Sequence, residues 1–72
     1  MIVVYSKDKC SQCEQAKMYL DIKGVEYEVL KLGEDYSLDE VKEIAPTQRT
    51  FPVIVDGDVL VGGFKELKEY LK

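Results

Sequence analysis

Two short apolar runs flank a helical stretch in the first third of this chain, and that arrangement most limits how it can fold. Ile2, Val3, Val4 and Tyr5 read as a buried strand covering roughly Ile2 to Ser6. Gln12 to Lys23 reads as a helix, with Cys13, Ala16, Lys17 and Leu20 on one face at helical spacing. Gly24 follows as a stop signal, because the residue after a helix often needs a left-handed backbone. From Val25 to Leu32 the period changes to two: Val25, Tyr27 and Val29 alternate with Glu26 and Glu28. A strand, a helix and a strand in succession set the two strands parallel, joined by a right-handed crossover.

The rest of the chain adds to that unit. Ser37-Leu38-Asp39-Glu40 reads as a capping box, with Ser37 as N-cap and Glu40 reaching back. The helix it opens runs through Leu38, Val41 and Ile44 and ends before Pro46. Phe51 to Val55 and Val59 to Val61 are apolar runs on either side of Asp56-Gly57-Asp58, the pattern of a hairpin. Gly62-Gly63 breaks the last strand, and Phe64, Leu67 and Leu71 mark a final amphipathic helix. The expected order is β-α-β-α-β-β-α, an α/β domain spanning 1-72, with a four-stranded mixed sheet and three helices. A chain of 72 residues buries only about 60% of its unfolded surface, so a thin core is expected.

Composition removes several function classes. Net charge is −4, with 14 acidic against 10 basic residues, which argues against nucleic acid as a partner. No apolar run approaches the roughly 20 residues of a membrane span. No signal-like segment precedes the first strand, so a cytoplasmic protein is expected, and a monomer. The chain has no histidine, which excludes a Ser-His-Asp triad, a Cys-His pair and every His-containing metal motif. Glu34, Asp35, Asp39, Glu40 and Glu43 cluster as a solvated face, while Lys7, Lys9, Arg49 and Lys65 fall near the segments expected to form the site.

The chemistry has one obvious home. Cys10 and Cys13 are the only two cysteines, and they sit where the first strand hands over to the first helix. There the unpaired backbone N–H groups and the helix dipole favour a thiolate. Lys7 and Lys9 lie close in sequence, and such settings bring a thiol from a pKa of ~8.5 into the range ~3.5–7.5. Glu14 is a competing charge. Cys10 is therefore expected as the nucleophile, and Cys13, on the apolar face, as the buried resolving thiol. Phe51-Pro52 is the second feature. On the residues alone a trans bond is expected, since only about 5–6% of X–Pro bonds are cis, and Pro52 reads as the mark of an edge strand. Tyr5, Tyr19, Tyr27 and Tyr70 fit core or boundary packing.

Three motifs in order give a resemblance over essentially the whole chain. Lys7-Asp8-Lys9-Cys10-Ser11-Gln12-Cys13, Thr50-Phe51-Pro52 and Gly62-Gly63-Phe64-Lys65-Glu66-Leu67 resemble the Lys-x-x-Cys-x-x-Cys, Thr-Val-Pro and Gly-Gly-x-x-Asp-Leu of the glutaredoxins. The resemblance implies a minimal thioredoxin-like fold, a cis Pro52 and dithiol–disulfide exchange at Cys10 and Cys13. It implies glutathione as a co-substrate, with no tightly bound cofactor. Lys7, Gln12, Thr50, Phe51, Pro52, Gly63, Phe64 and Lys65 are then the glutathione-binding residues. Phe51 would pair its backbone with the tripeptide, and the start of the last helix would hold the γ-glutamyl carboxylate. The expected partners are disulfide-containing proteins, ribonucleotide reductase among them.

Departures from the pattern keep alternatives open. Ser11-Gln12 stands where the common dipeptide is Pro-Tyr, and Glu66 replaces the usual Asp. A Gln before the second cysteine is similar to the small redoxins that take electrons from thioredoxin reductase and serve ribonucleotide reductase. Those typically end the third motif with Arg-Pro, which is absent here. A Cu(I)-carrying Cys-x-x-Cys domain and an iron–sulfur cluster bridged between two chains are the metal-based alternatives.

Overall fold

The computed structural model describes residues 1–72. Seven elements follow in the order β1 (Ile2–Ser6), α1 (Ser11–Lys23), β2 (Tyr27–Lys31), α2 (Leu38–Ile44), β3 (Val53–Asp56), β4 (Val59–Gly62) and α3 (Phe64–Tyr70). The four strands form one mixed sheet in the order β2-β1-β3-β4. β1 runs parallel to β2, with Val4 opposite Val29, and antiparallel to β3, with Val4 opposite Ile54. β3 and β4 form an antiparallel hairpin. Its two-residue loop is Gly57-Asp58, and Gly57 takes φ 62 at the first central position, where such a tight turn needs a positive φ. A bulge at Val61 re-aims the chain toward α3, because Ile54 pairs with Gly62 and Val55 with Leu60.

The two-residue period of the strands divides the core in two. Ile2, Val4 and Ile54 face α1 and α3, where Ala16, Leu20 and Leu67 complete one cluster. Val53 faces the other way, onto Tyr36, Val41 and Ala45, with Tyr5 and Leu30 packed beside them. α2, with Tyr36 before it and Ala45 after it, covers that second face. The sheet is thus clad on both sides, and β1 carries the chain through its middle to the cysteines.

Several boundaries differ from the sequence reading. β2 begins at Tyr27 rather than Val25, since Val25 instead gives its N–H to Leu20 in closing α1. β3 begins at Val53, after the proline, and is an interior strand rather than an edge. A proline cannot donate to the ladder, so the strand starts beyond it. The Phe51–Pro52 bond is cis, against the expectation from base frequency. At α2 the Ser37 hydroxyl accepts the Glu40 N–H, but the Glu40 carboxylate bonds that hydroxyl and not the Ser37 backbone N–H. Tyr70 is exposed, with its hydroxyl on Asp56.

Tyr36 ties the second face to the site. Its hydroxyl donates to the Ser6 carbonyl at 2.7 Å, and its ring meets Tyr5 edge-on with centroids 5.0 Å apart. Burial, with a smaller contribution from Tyr5, pushes its pKa up to about 12. The folded value lies above the unfolded value of about 10, so the stability involved is whole below about pH 10 and is lost as pH rises toward 12. Tyr36→Phe should cost about 1 kcal/mol at neutral pH, because Ser6 keeps a second donor in the Leu32 N–H. The gap between the two proteins should narrow above about pH 10. Urea midpoints at neutral and alkaline pH test this, and parallel pH curves would contradict it.

Candidate active site

Between β1 and α1 the chain turns on Lys7-Asp8-Lys9. Lys9 takes a positive φ of 54, which brings Cys10 into the N-cap position of α1. There Cys10 is extended, at φ −118 and ψ 101, and its Sγ accepts the Cys13 N–H at 3.2 Å. A serine or aspartate oxygen usually does this at an N-cap. Here the acceptor is a sulfur, so the group that satisfies the helix end is the one expected from the sequence as the nucleophile. The N–H and the aligned dipoles of α1 favour negative charge on that sulfur.

Cys10 and Cys13 are joined as a disulfide, with Cα atoms 5.3 Å apart. Cys13 is buried, while Cys10 is partly exposed. The asymmetry fits an outer attacking thiol and an inner resolving one. Glu14, a competing charge in the sequence, directs its carboxylate to Lys17 Nζ at 2.7 Å, along the helix surface.

Cys10 opens onto a groove of about 510 Å³ lined by Lys7, Lys9, Ser11, Gln12, Arg49, Thr50 and Phe51. Lys7, expected beside the thiolate or a ligand carboxylate, holds its ammonium over the Phe51 ring, 5.3 Å from the centroid. It therefore joins the cysteine loop to the loop before β3. Arg49, which no motif placed securely, lies in the same wall.

The Thr50–Pro52 loop is held by a residue that the motifs did not single out. Gln48 Nε2 donates to the Thr50 carbonyl at 3.0 Å and to the Pro52 carbonyl at 2.9 Å. Those two carbonyls are thereby occupied, whereas the N–H and C=O of Phe51 find no partner within the chain. An unpaired peptide group on each side of one residue is the edge that an extended ligand can join. No local pattern in the sequence reveals Gln48, because its partners depend on how the loop folds.

Gly63, Phe64 and Lys65 do not line the Cys10 groove. They open α3, which reaches the loop through Gly63: a Cβ there would lie 3.7 Å from the Pro52 carbonyl and 3.8 Å from Gln48 Nε2. The Gly63 N–H, free at most helix starts, is taken by Glu66 Oε1 at 2.8 Å. Phe64 packs edge-on against Tyr19 and lies under the Lys68 ammonium, 4.8 Å from the ring centroid. Lys65 is exposed.

Comparison with known proteins bears on this geometry. The family model described as Glutaredoxin matches residues 2–61. The chain is 36% identical over 56 residues to an N-acetyl-S-hydroxy-L-cysteine reductase of Bacillus subtilis, covering 78% of this chain and 60% of that protein. It is 32% identical over 65 residues to a glutaredoxin-like protein NrdH of Lactococcus lactis, covering 90% and 89% of the two. Its fold is similar to that in a buckwheat glutaredoxin–glutathione complex, with TM-score 0.79 and 28% identity over 94% of this chain and 64% of that one. The family match takes in both cysteines and Thr50-Phe51-Pro52 and stops just before Gly62. The chain belongs to the glutaredoxin family.

Proposed function

We propose that the protein is a dithiol oxidoreductase that draws its electrons from glutathione. One observation carries the reading: Cys10 opens onto a groove with three cations, no carboxylate and the free backbone of Phe51. Glutathione is a tripeptide thiol with two carboxylates, and such a groove offers it both charge and a strand edge. In this reading Phe51 pairs with the cysteinyl part, next to Thr50 and with Pro52 behind it. Lys7 and Gln12 bound the glycyl end. Gly63, Phe64 and Lys65 receive the γ-glutamyl end.

The reaction is a two-electron exchange. The Cys10 thiolate attacks one sulfur of a target disulfide. That S–S bond breaks, a Cys10 mixed disulfide forms, and the released thiolate takes a proton. Cys13 then attacks Cys10 Sγ, closing the Cys10–Cys13 disulfide and releasing the second thiol of the target. Two glutathione molecules reverse these steps and leave as glutathione disulfide. The N-cap geometry serves the first step by favouring charge on Cys10. Burial of Cys13 keeps it out of the first step and leaves it beside the mixed disulfide.

A second reading keeps the chemistry and changes the donor to thioredoxin reductase, with ribonucleotide reductase as the client. Two observations favour it. Gln12 precedes Cys13, and the Glu66 carboxylate already holds the Gly63 N–H where a γ-glutamyl carboxylate would bind. Turnover of a small mixed disulfide separates the two. One arm supplies glutathione, glutathione reductase and NADPH, and the other supplies thioredoxin reductase and NADPH. We expect turnover in the glutathione arm. Turnover in the thioredoxin reductase arm alone would replace the first reading with the second.

A further inference from the structure

Beyond Phe51 the Cys10 groove does not end. It shares Arg49, Thr50 and Phe51 with a second trough of about 540 Å³ that runs along α2. Val41 and Val53 form the floor of this trough and are buried; Leu38 and Pro46 are exposed at its rim. Lys42 lies on the same helix face as Leu38 and Val41, at the i, i+3, i+4 spacing that brings side chains together.

Charge is distributed unevenly around this path. Fourteen of the 72 residues are acidic, yet no carboxylate lines either the groove or the trough. Asp39, Glu40 and Glu43 belong to α2 but not to its trough face. The four cations along the path, Lys7, Lys9, Lys42 and Arg49, take part in no salt bridge. The cavity on the other side of Cys10 is different: there Lys17 pairs with Glu14 at 2.7 Å and Lys31 with Asp8 at 2.9 Å. Lys7 and Lys9 border both cavities, but beyond them unpaired positive charge continues only past Phe51 and over α2, at Arg49 and Lys42, while the other cavity carries Asp8 and Glu14.

We propose that the trough is the docking site for an extended acidic segment of the target protein, one that carries an apolar residue close to its disulfide. The proposal rests on the dithiol reading above. The segment pairs its backbone with Phe51 as an added strand, places the apolar side chain between Leu38 and Pro46, and sets its carboxylates beside Arg49 and Lys42. Glutathione has no apolar side chain for such a floor, so a longer polypeptide is the occupant that uses it. The remaining acidic surface repels the same segment, which fixes the direction of approach.

The test uses three substrates and two variants. The substrates are a small mixed disulfide, a peptide disulfide flanked by leucine and glutamates, and the same peptide with lysines in place of the glutamates. Wild-type protein should reduce the acidic peptide with a KM about tenfold below that of the basic one, and added salt should shrink the difference. Lys42→Glu and Leu38→Asp alter exposed positions of α2 and should leave turnover of the small disulfide unchanged. Each should raise the KM for the acidic peptide about fivefold with kcat kept. The proposal is overturned if wild type treats the two peptides alike, or if neither variant moves the KM for the acidic peptide beyond twofold. Retained turnover of the small disulfide would then leave the dithiol reading standing, whereas its absence in wild type would remove both.

Discussion

Cys10→Ser should lower disulfide turnover at least about a thousandfold, to the level of the uncatalysed exchange. The nucleophile in this chemistry is a thiolate, and a serine hydroxyl does not ionise in the range where a thiol does. The fold should survive, because serine is among the best N-cap residues and its oxygen can take the Cys13 N–H that Sγ now accepts. Loss of activity with a urea midpoint equal to that of the reduced wild type, which also lacks the Cys10–Cys13 bond, would therefore report on chemistry and not on unfolding. Cys13→Ser makes the complementary case. It should still perform the first attack and accumulate a mixed disulfide on Cys10, visible by intact-mass measurement, because the inner thiol that resolves it is gone. Full reductase activity in Cys10→Ser would defeat the assignment of the nucleophile.

Gly62→Val should destabilise the protein by about 3 kcal/mol or more. Two effects act together at this position. The backbone has φ 120, a region that side-chain-bearing residues rarely adopt, and a Cβ would come within 2.9 Å of Glu66 Cγ and 3.0 Å of its Cβ. Moving Glu66 aside also breaks its bond to the Gly63 N–H, the bond that closes the start of α3. A domain of this size has a total stability of roughly 4–11 kcal/mol, so the variant should be largely unfolded in moderate urea. Gly63→Ala should be milder, about 1 kcal/mol, since Gly63 has no positive φ and its Cβ would crowd only Glu66 Oε1, at 3.2 Å, meeting the Pro52 carbonyl and Gln48 Nε2 at ordinary contact distances. Equal urea midpoints for the two variants would show that the backbone conformation of Gly62 is not the limiting feature.

These two glycines show how far local pattern reaches. Gly62-Gly63 reads in the sequence as a strand stop, and β4 does end there. Which of the two is obligatory depends on the backbone conformation at Gly62 and on where the Glu66 side chain lies. Pro52 makes the same point. Its ring and missing N–H predict a break in the ladder, and the break is present. Yet the strand it precedes is interior, because the hairpin adds its second strand outside the first. Periodicity reports which residues are apolar on one side; it carries no information about which strand becomes a neighbour of which.

The element order, the parallel β1–β2 unit, the hairpin and the place of both cysteines at the start of α1 were all legible in the residues. Each of these depends on interactions within a few residues or on a short crossover whose handedness is prescribed. Folding supplied the rest of the site. It brought Arg49 and Phe51 to the wall beside Cys10, from about 40 residues away in the chain, and set Lys7 over the Phe51 ring. It gave Gln48 the two carbonyls on either side of Phe51 and left the Phe51 backbone free. It also placed Lys42 on an acid-free face of an otherwise acidic helix. The physical reason is common to all of these. Such contacts form between segments that meet only after the sheet has been assembled, and a side chain's neighbours across that distance leave no mark on the residues next to it in sequence.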